Sequence, residues 1–268
     1  MTDKYVLFGN PVEHSMSPML HEYFAKTLSQ DLTYGRILVE DGCFKEAALK
    51  FFNEDNGLGC NITVPCKLDA YSFADVLSEY AKAAGAVNTL KKLPDGKIYG
   101  DNTDGRGLVA DLHRLNCPLE GNKVLIIGAG GAAKGILKPI LETNPLSITI
   151  VNRTESKALD LASIYDERVT GTSFANLKGQ FDVIINATSS SLKDELPALN
   201  DEILAKALFV YDLMYRKGGQ TVFTKKANEL GVKNAFDGFG MLIGQAILSF
   251  EVWRGVRPDF SLAVEKFI

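Results

Sequence analysis

The chain has 268 residues, of which 46% are hydrophobic and 23% charged, and a formal net charge of -4; this is ordinary globular composition, with length enough for two modest domains. That charge balance offers no basic footprint for nucleic acid or an anionic membrane, so neither is an expected partner, and an anionic ligand must be held by local donors. Four scattered cysteines (Cys43, Cys60, Cys66, Cys117) without a CxxC pair, and three histidines (His14, His21, His113), argue against a disulfide framework and predict no metal site.

The opening Met1-Thr2-Asp3-Lys4 and the run Tyr5 to Phe8 lack the long apolar core of a signal peptide, and no stretch approaches a membrane span, so a cytoplasmic protein is expected. Tyr5 to Gly9 is a short β-rich run ending in Gly9-Asn10-Pro11. Ser17-Pro18 reads as a helix N-cap with proline at the first helical position, the helix continuing to about Leu28. A strand is expected from Tyr34 to Val39, a helix from Phe44 to Phe52, and a strand from Gly59 that Pro65 stops, with Lys67 directly beyond. From Gly105 onward, Leu108, Val109, Leu112 and Leu115 take helical spacing. The continuous apolar run Val124-Leu125-Ile126-Ile127 suits a buried parallel strand. After it come a glycine-rich turn, a helix, the strand Ser147 to Val151, another helix and the strand Phe181 to Asn186, which is βαβαβ order. Pro139 falls inside the first of these helices and predicts a bend or an early end. Near the C-terminus, Phe239 to about Arg254 carries Ile243, Ala246, Ile247, Phe250 and Trp253 in a helical stripe.

Gly128-Ala129-Gly130-Gly131-Ala132-Ala133 fits G-x-G-x-x-G/A in the setting such a motif needs, after a buried strand and before a helix. The first glycine permits the turn, the second lets backbone approach a pyrophosphate, and the helix start supplies free N–H groups. Where an NAD enzyme places Asp or Glu against the ribose 2′-hydroxyl, the second strand here ends in Asn152-Arg153-Thr154. Arg153, helped by Thr154 and Lys157, suits a 2′-phosphate, so NADP(H) is the predicted cofactor. Asn152 or Thr154 also suits capping of the next helix, and both uses are compatible.

As bare residues, Lys67 after a proline reads as a solvated charge and Asp104-Gly105 as a turn. The series of motifs changes that. Gly9-Asn10-Pro11 with Ser15 and Ser17, Asn61 to Lys67, Gly85 to Thr89, Asp101 to Gly105, Gly128 to Ala133, Asn152 to Thr154, Asn186 to Ser189, Tyr211-Asp212 with Tyr215, and Asp237 to Leu242 with Gln245 together resemble the shikimate dehydrogenases, in order, over essentially the whole chain.

The resemblance implies two α/β domains with a cleft between them: a discontinuous substrate-binding domain over 1–104 and 237–268, and a Rossmann-type NADP-binding domain over 105–236. It implies reduction of 3-dehydroshikimate to shikimate with NADPH, by a monomer or homodimer. Lys67 and Asp104 would contact the substrate oxygens near the reacting carbon. Ser15 and Ser17 would hold the carboxylate, with Asn61, Thr63, Asn88, Tyr215 and Gln245 as further polar contacts. Thr188, Ser189, Met214, Gly238 and Met241 join the glycine loop as cofactor neighbours by family position. A relative that accepts quinate, or NAD, is the nearest rival, and a silent NADP-binding protein is a rival from another class. Two departures from the family stand out: Ser191 where many relatives have glycine, and a Tyr215 to Thr221 segment without the usual proline-containing turn.

Overall fold

Two sheets organise the computed structural model, which describes residues 2–216 and 219–268. In chain order the first half contains β1 (Asp3–Gly9), α1 (Ser17–Thr27), β2 (Leu32–Leu38), α2 (Phe44–Asn53), β3 (Gly57–Ile62), α3 (Lys67–Phe73), β4 (Val76–Leu77), α4 (Glu79–Ala84), β5 (Thr89–Lys92), β6 (Ile98–Asp101) and α5 (Asp104–Arg114). The second half contains β7 (Lys123–Ile127), α6 (Gly131–Leu141), β8 (Ser147–Val151), α7 (Glu155–Ala162), β9 (Val169–Thr172), β10 (Val183–Asn186), a 3-10 turn at Ser190–Lys193, α8 (Asp201–Leu204), β11 (Phe209–Asp212), α9 (Val222–Glu229), β12 (Ala235–Phe236), α10 (Phe239–Arg254) and α11 (Phe260–Phe267). The chain divides into two compact units, one running up to Gly107 and resuming over Ile243–Phe267, the other spanning Leu108–Leu242 with the terminal Ile268. The division falls within α5 and within α10.

In the first unit the sheet order is β2-β1-β3-β5-β6-β4. The first three strands are parallel, and β5 and β6 form an antiparallel hairpin. Sequence periodicity did not anticipate that hairpin, although Pro94-Asp95-Gly96 is a turn signature: Gly96 has φ 86° and the Asp95 carboxylate accepts from Lys97 N at 3.1 Å. β3 begins two residues earlier than expected and stops at Ile62, and Thr63 to Cys66 form a turn closed by Cys66 N donating to Thr63 O at 3.0 Å. Ser17 is not the N-cap of α1. Met16 takes that position, and Ser17 is the first helical residue with Pro18 behind it.

The second unit is an all-parallel sheet in the order β12-β11-β10-β7-β8-β9, the Rossmann arrangement, whose strand order reverses between β7 and β10. Its apolar strands are continuous because both faces are covered. Val124 and Ile126 enter one core with Ile148, Ile150, Val183 and Ile185, while Leu125 and Ile127 enter the other with Val151, Ile184 and Val210. Each such fully buried side chain stabilises the fold by about 1.5–3 kcal/mol. Pro139 stands in the last turn of α6, which ends at Leu141.

Gly238, just ahead of α10, shows how tightly this unit closes. Its N–H donates to Met214 O at 3.0 Å, and a Cβ there would overlap the Leu213 carbonyl. Gly238→Ala is therefore expected to lower unfolding stability by about 1–3 kcal/mol. A urea midpoint equal to that of the wild type would show that the backbone yields without cost.

Candidate active site

The first unit gathers its polar side chains by sheet register and helix contact. Lys67 opens α3 just after the turn that follows β3, and Asp104 opens α5 just after β6, where its negative charge suits a helix start. Their side chains meet, Lys67 Nζ donating to Asp104 Oδ2 at 2.5 Å. The other carboxylate oxygen accepts from Asn88 Nδ2 at 2.7 Å. Asn88 sits one residue before β5, and its Oδ1 accepts from Thr103 N at 2.9 Å and Thr89 Oγ1 at 2.8 Å. Gln245 Oε1 lies 3.4 Å from Asn88 Nδ2. Close backbone contact makes that possible: a Cβ on Gly107 of α5 would collide with Gln245, and one on Gly244 of α10 with Gly107. Lys67, Asp104, Asn88 and Gln245 thus come together from four separate stretches of chain.

Asn61 joins the same network from β3, but all its polar atoms are used internally. Nδ2 donates to Ser249 Oγ at 2.9 Å and to Asn88 O and Thr89 Oγ1, both at 3.2 Å, while Oδ1 accepts from Tyr34 Oη at 2.8 Å. Oδ1 also faces His21 Nε2 at 3.1 Å. Because the carbonyl of Asn88 only accepts, the Asn61 amide orientation is determined, and His21 must carry its proton on Nε2. His21 Nδ1 is then a buried acceptor with no hydrogen-bond partner among the described residues. Thr89 and Thr103 lie within the Gly85 to Thr89 and Asp101 to Gly105 motifs but were given no role there, and the sequence reading gave none to His21, Tyr34 or Ser249 either, although Gln245 and Ser249 are spaced four apart on one helix.

Burial pushes the His21 pKa down to about 3, with the Asn61 hydrogen bond opposing it. An unfolded histidine titrates near 6.5. Between those values the unfolded chain binds a proton that the folded chain does not, so the stability is full above pH 6.5 and declines as pH falls through the window. Relative to pH 7, the loss at pH 5 is expected to be ~2 kcal/mol. Comparing urea midpoints of the wild type and His21→Gln at both pH values checks this; identical pH dependence of the two proteins would refute it.

Ser15 and Ser17 stand together at the start of α1, Ser15 Oγ lying 3.2 Å from both Ser17 Oγ and Ser17 N. Thr63 occupies the turn after β3, its N–H donating to Phe8 O at 2.9 Å and its methyl group against Gly9. Tyr215 belongs to the other unit, where its ring meets Phe239 edge-on at 5.4 Å and burial pushes its hydroxyl pKa up. Lys217 and Gly218 of the neighbouring segment lie outside the described residues.

In the second unit, the loop after β7 has the features a dinucleotide requires. Gly128 has φ 107°, a left-handed conformation that favours glycine, and its N–H donates to Val151 O at 2.8 Å. Ala129 is buried, Gly130 is the N-cap of α6, and Gly131 and Ala132 open the helix in exposed positions. A Cβ on Gly130 or Gly131 would meet nothing within 4 Å, while Ala133 is buried in the core. Free amides beside open space at a helix start form a seat for a pyrophosphate.

At the tip of β8, Asn152 Nδ2 donates to Thr154 O at 2.9 Å. Thr154 is the N-cap of α7 by position, but its side chain makes no capping bond. Arg153 and Lys157 are exposed, and among the described residues neither has a hydrogen bond or ion pair to its side chain. Glu155, the nearest acid in sequence, is turned to Ser173 N and Asn176 Nδ2, each at 3.0 Å. Two unopposed cations with no carboxylate at the strand tip fit a 2′-phosphate and not a bare ribose.

The ends of β10 and β11 meet at a buried carboxylate. Asp212 accepts from Ser191 Oγ at 2.5 Å, Thr221 Oγ1 at 2.6 Å, Met214 N at 3.1 Å and Asn186 Nδ2 at 3.2 Å. Burial raises its pKa against the Ser191, Thr221 and Met214 donors, with the Asp237 charge adding to the rise. Asn186 Oδ1 in turn accepts from Thr188 Oγ1 at 2.7 Å, and Ser189 is the N-cap of the 3-10 turn. Ser191 lies within that turn at ordinary negative φ, so the residue that replaces a family glycine adopts no glycine-only conformation and gains a hydrogen bond instead. Met214 and Met241 pack against the first core of this unit.

Among known proteins, the family model described as shikimate dehydrogenase substrate binding domain matches residues 7–90, that of shikimate / quinate 5-dehydrogenase matches 111–208, and that of the shikimate 5′-dehydrogenase C-terminal domain matches 238–265. The shikimate dehydrogenase (NADP(+)) of Vibrio campbellii is 51% identical over 258 residues, covering 96% of this chain and 92% of the relative. An Ael1 enzyme from Pseudomonas putida superposes with a TM-score of 0.93 at 40% identity, over 99% of this chain and 98% of that one. The Thermus thermophilus shikimate 5-dehydrogenase solved in complex with NADP(H) and shikimate gives 0.87 at 28% identity, over 98% of each chain. With half the residues identical across nearly its full length, on the same two-sheet α/β frame, this chain belongs to the shikimate dehydrogenase family.

Proposed function

We propose that this protein catalyses the reversible NADPH-dependent reduction of the ketone of 3-dehydroshikimate to the alcohol of shikimate, as a cytoplasmic enzyme of aromatic amino-acid biosynthesis. The observation that carries the reading is the Lys67–Asp104 pair, 2.5 Å apart and only partly exposed, with Asp104 held from its other side by Asn88. The unit that includes residues 2–107 is taken as the substrate-binding part and Leu108–Leu242 as the NADP-binding part.

Bound NADPH supplies the hydride. Reduction of a ketone builds negative charge on its oxygen, and a cation already in place stabilises that charge without reorganisation. Lys67 is that cation, and its ammonium also carries the proton the alcohol needs. Asp104 orients the ammonium and accepts from a neighbouring substrate hydroxyl. Asn88 holds the carboxylate so that neither group must search for its position. Ser15 and Ser17 offer hydroxyls to the substrate carboxylate, with Gln245 and Thr63 as further donors and acceptors to the ring hydroxyls. Asn61, with its amide committed internally, acts by holding Asn88 and Tyr34. On the cofactor side, Gly128 through Ala132 receive the pyrophosphate, Arg153, Thr154 and Lys157 the 2′-phosphate, with Asn152, Thr188, Ser189, Met214, Gly238 and Met241 alongside.

The test follows the absorbance of reduced nicotinamide as the purified protein meets shikimate with NADP, alongside quinate and NAD. Fastest turnover with shikimate and NADP is expected. Tight NADPH binding without turnover of either acid would make the protein a cofactor binder and end the enzymatic reading.

A further inference from the structure

β2 is the edge strand of the first unit's sheet, and residues two apart on a strand share a face. Tyr34 and Arg36 are such a pair. Tyr34 reaches inward, its hydroxyl donating to Asn61 Oδ1 at 2.8 Å. Arg36 extends from the same face to the loop before α1, where Nη2 donates to Ser15 O at 2.8 Å. Burial pushes the Tyr34 hydroxyl pKa up, and the Arg36 charge acts against that rise. The cation therefore stands against the Ser15 backbone, and the Ser15 hydroxyl lies 3.2 Å from that of Ser17.

No carboxylate within the described residues forms an ion pair with Arg36. Glu13, on the adjoining loop, is engaged by Val12 N at 3.2 Å. One guanidinium N–H group holds the loop carbonyl, and a guanidinium has five such donors, so it retains donors and its full charge at this spot. Hydroxyls alone distinguish a carboxylate poorly from a neutral acceptor, because they can donate to either. A cation at the same place favours only the anion.

We propose that Arg36 is a specificity-determining residue for the carboxylate of the substrate, fixing the Ser15 backbone and supplying the positive charge that the Ser15–Ser17 hydroxyls lack. This rests on the reading of the serine pair as the carboxylate subsite. The charge sits on an exposed side chain, so its effect is modest and screened by salt.

The test is steady-state kinetics on the full-length protein with shikimate and NADP, comparing the wild type with Arg36→Gln and Arg36→Lys at low and high ionic strength. Arg36→Gln keeps a neutral donor for the loop and removes the charge; Arg36→Lys keeps the charge. At low salt the glutamine variant should raise KM for shikimate roughly three- to fivefold, with kcat and KM for NADP unchanged. The lysine variant should recover most of that loss, and the difference should shrink toward unity in high salt. An active wild type with Arg36→Gln matching it, or with the glutamine and lysine variants equally impaired at both salt concentrations, overturns the proposal and leaves the reaction standing. A wild type that turns over no shikimate removes the reaction itself and the proposal with it.

Discussion

Lys67→Ala is expected to lower kcat for shikimate oxidation about 10²–10³-fold while leaving KM for NADP within experimental error. The ammonium is held 2.5 Å from Asp104, with its side chain 30% exposed and that of Asp104 18% exposed. Both groups therefore keep contact with solvent, and the ion pair contributes little to stability. Catalysis is affected far more, because the charge on the reacting oxygen exists only in the transition state and during its approach. Asp104→Asn should impair kcat as well, by releasing Lys67 from its position. The double variant should be hardly worse than Lys67→Ala alone, since both changes remove one unit of function. Steady-state kinetics with urea midpoints on all three proteins makes the check. A Lys67→Ala enzyme retaining more than about a tenth of kcat would mean that the stabilising charge comes from elsewhere.

Arg153→Ala is expected to raise KM for NADPH about a hundredfold, with KM for NADH nearly unchanged. A charge-assisted hydrogen bond contributes about 1.5–3 kcal/mol, and a guanidinium forms such bonds to a phosphate in pairs. Arg153 is exposed at the tip of β8 with no competing carboxylate, as Glu155 is committed to the 173–176 segment. Lys157, in the first turn of α7, should preserve part of the preference. Arg153→Ala with Lys157→Ala should bring the two cofactors close to parity. The ratio of kcat/KM for NADPH over NADH, followed against salt, reads this directly. A ratio that does not move would exclude the β8 tip as the 2′-phosphate site.

Much of the second unit was legible along the chain. The run Val124 to Ile127 is fully buried on both faces, and β8 has the bounds its apolar pattern predicted. The glycine loop behaves as its spacing required, with Gly128 at positive φ, Gly130 and Gly131 open to solvent and Ala133 packed inside. These features are local. Strand, turn and helix start are each set by backbone conformation and side-chain period within about ten residues, which is the range over which sequence patterns carry information.

The first unit was harder because its features are decided by partners far apart in sequence. Ser17-Pro18 has the composition of a helix cap, yet Met16 occupies the cap and Ser17 turns to Ser15. Asn61 looked like a ligand contact, but the register of β3 with β5 spends its amide on Asn88, Thr89 and Ser249. By itself, then, the sequence determined the α/β class, the dinucleotide loop, the lack of an acid at the β8 tip and the family. Only the tertiary structure decided that Lys67 meets Asp104, that Asn88 and Gln245 converge on that pair, and that Arg36 reaches the Ser15 loop. The physical reason is that a side-chain hydrogen bond depends on where sheet register and glycine-mediated helix contact place two distant stretches of backbone, and no local propensity specifies that.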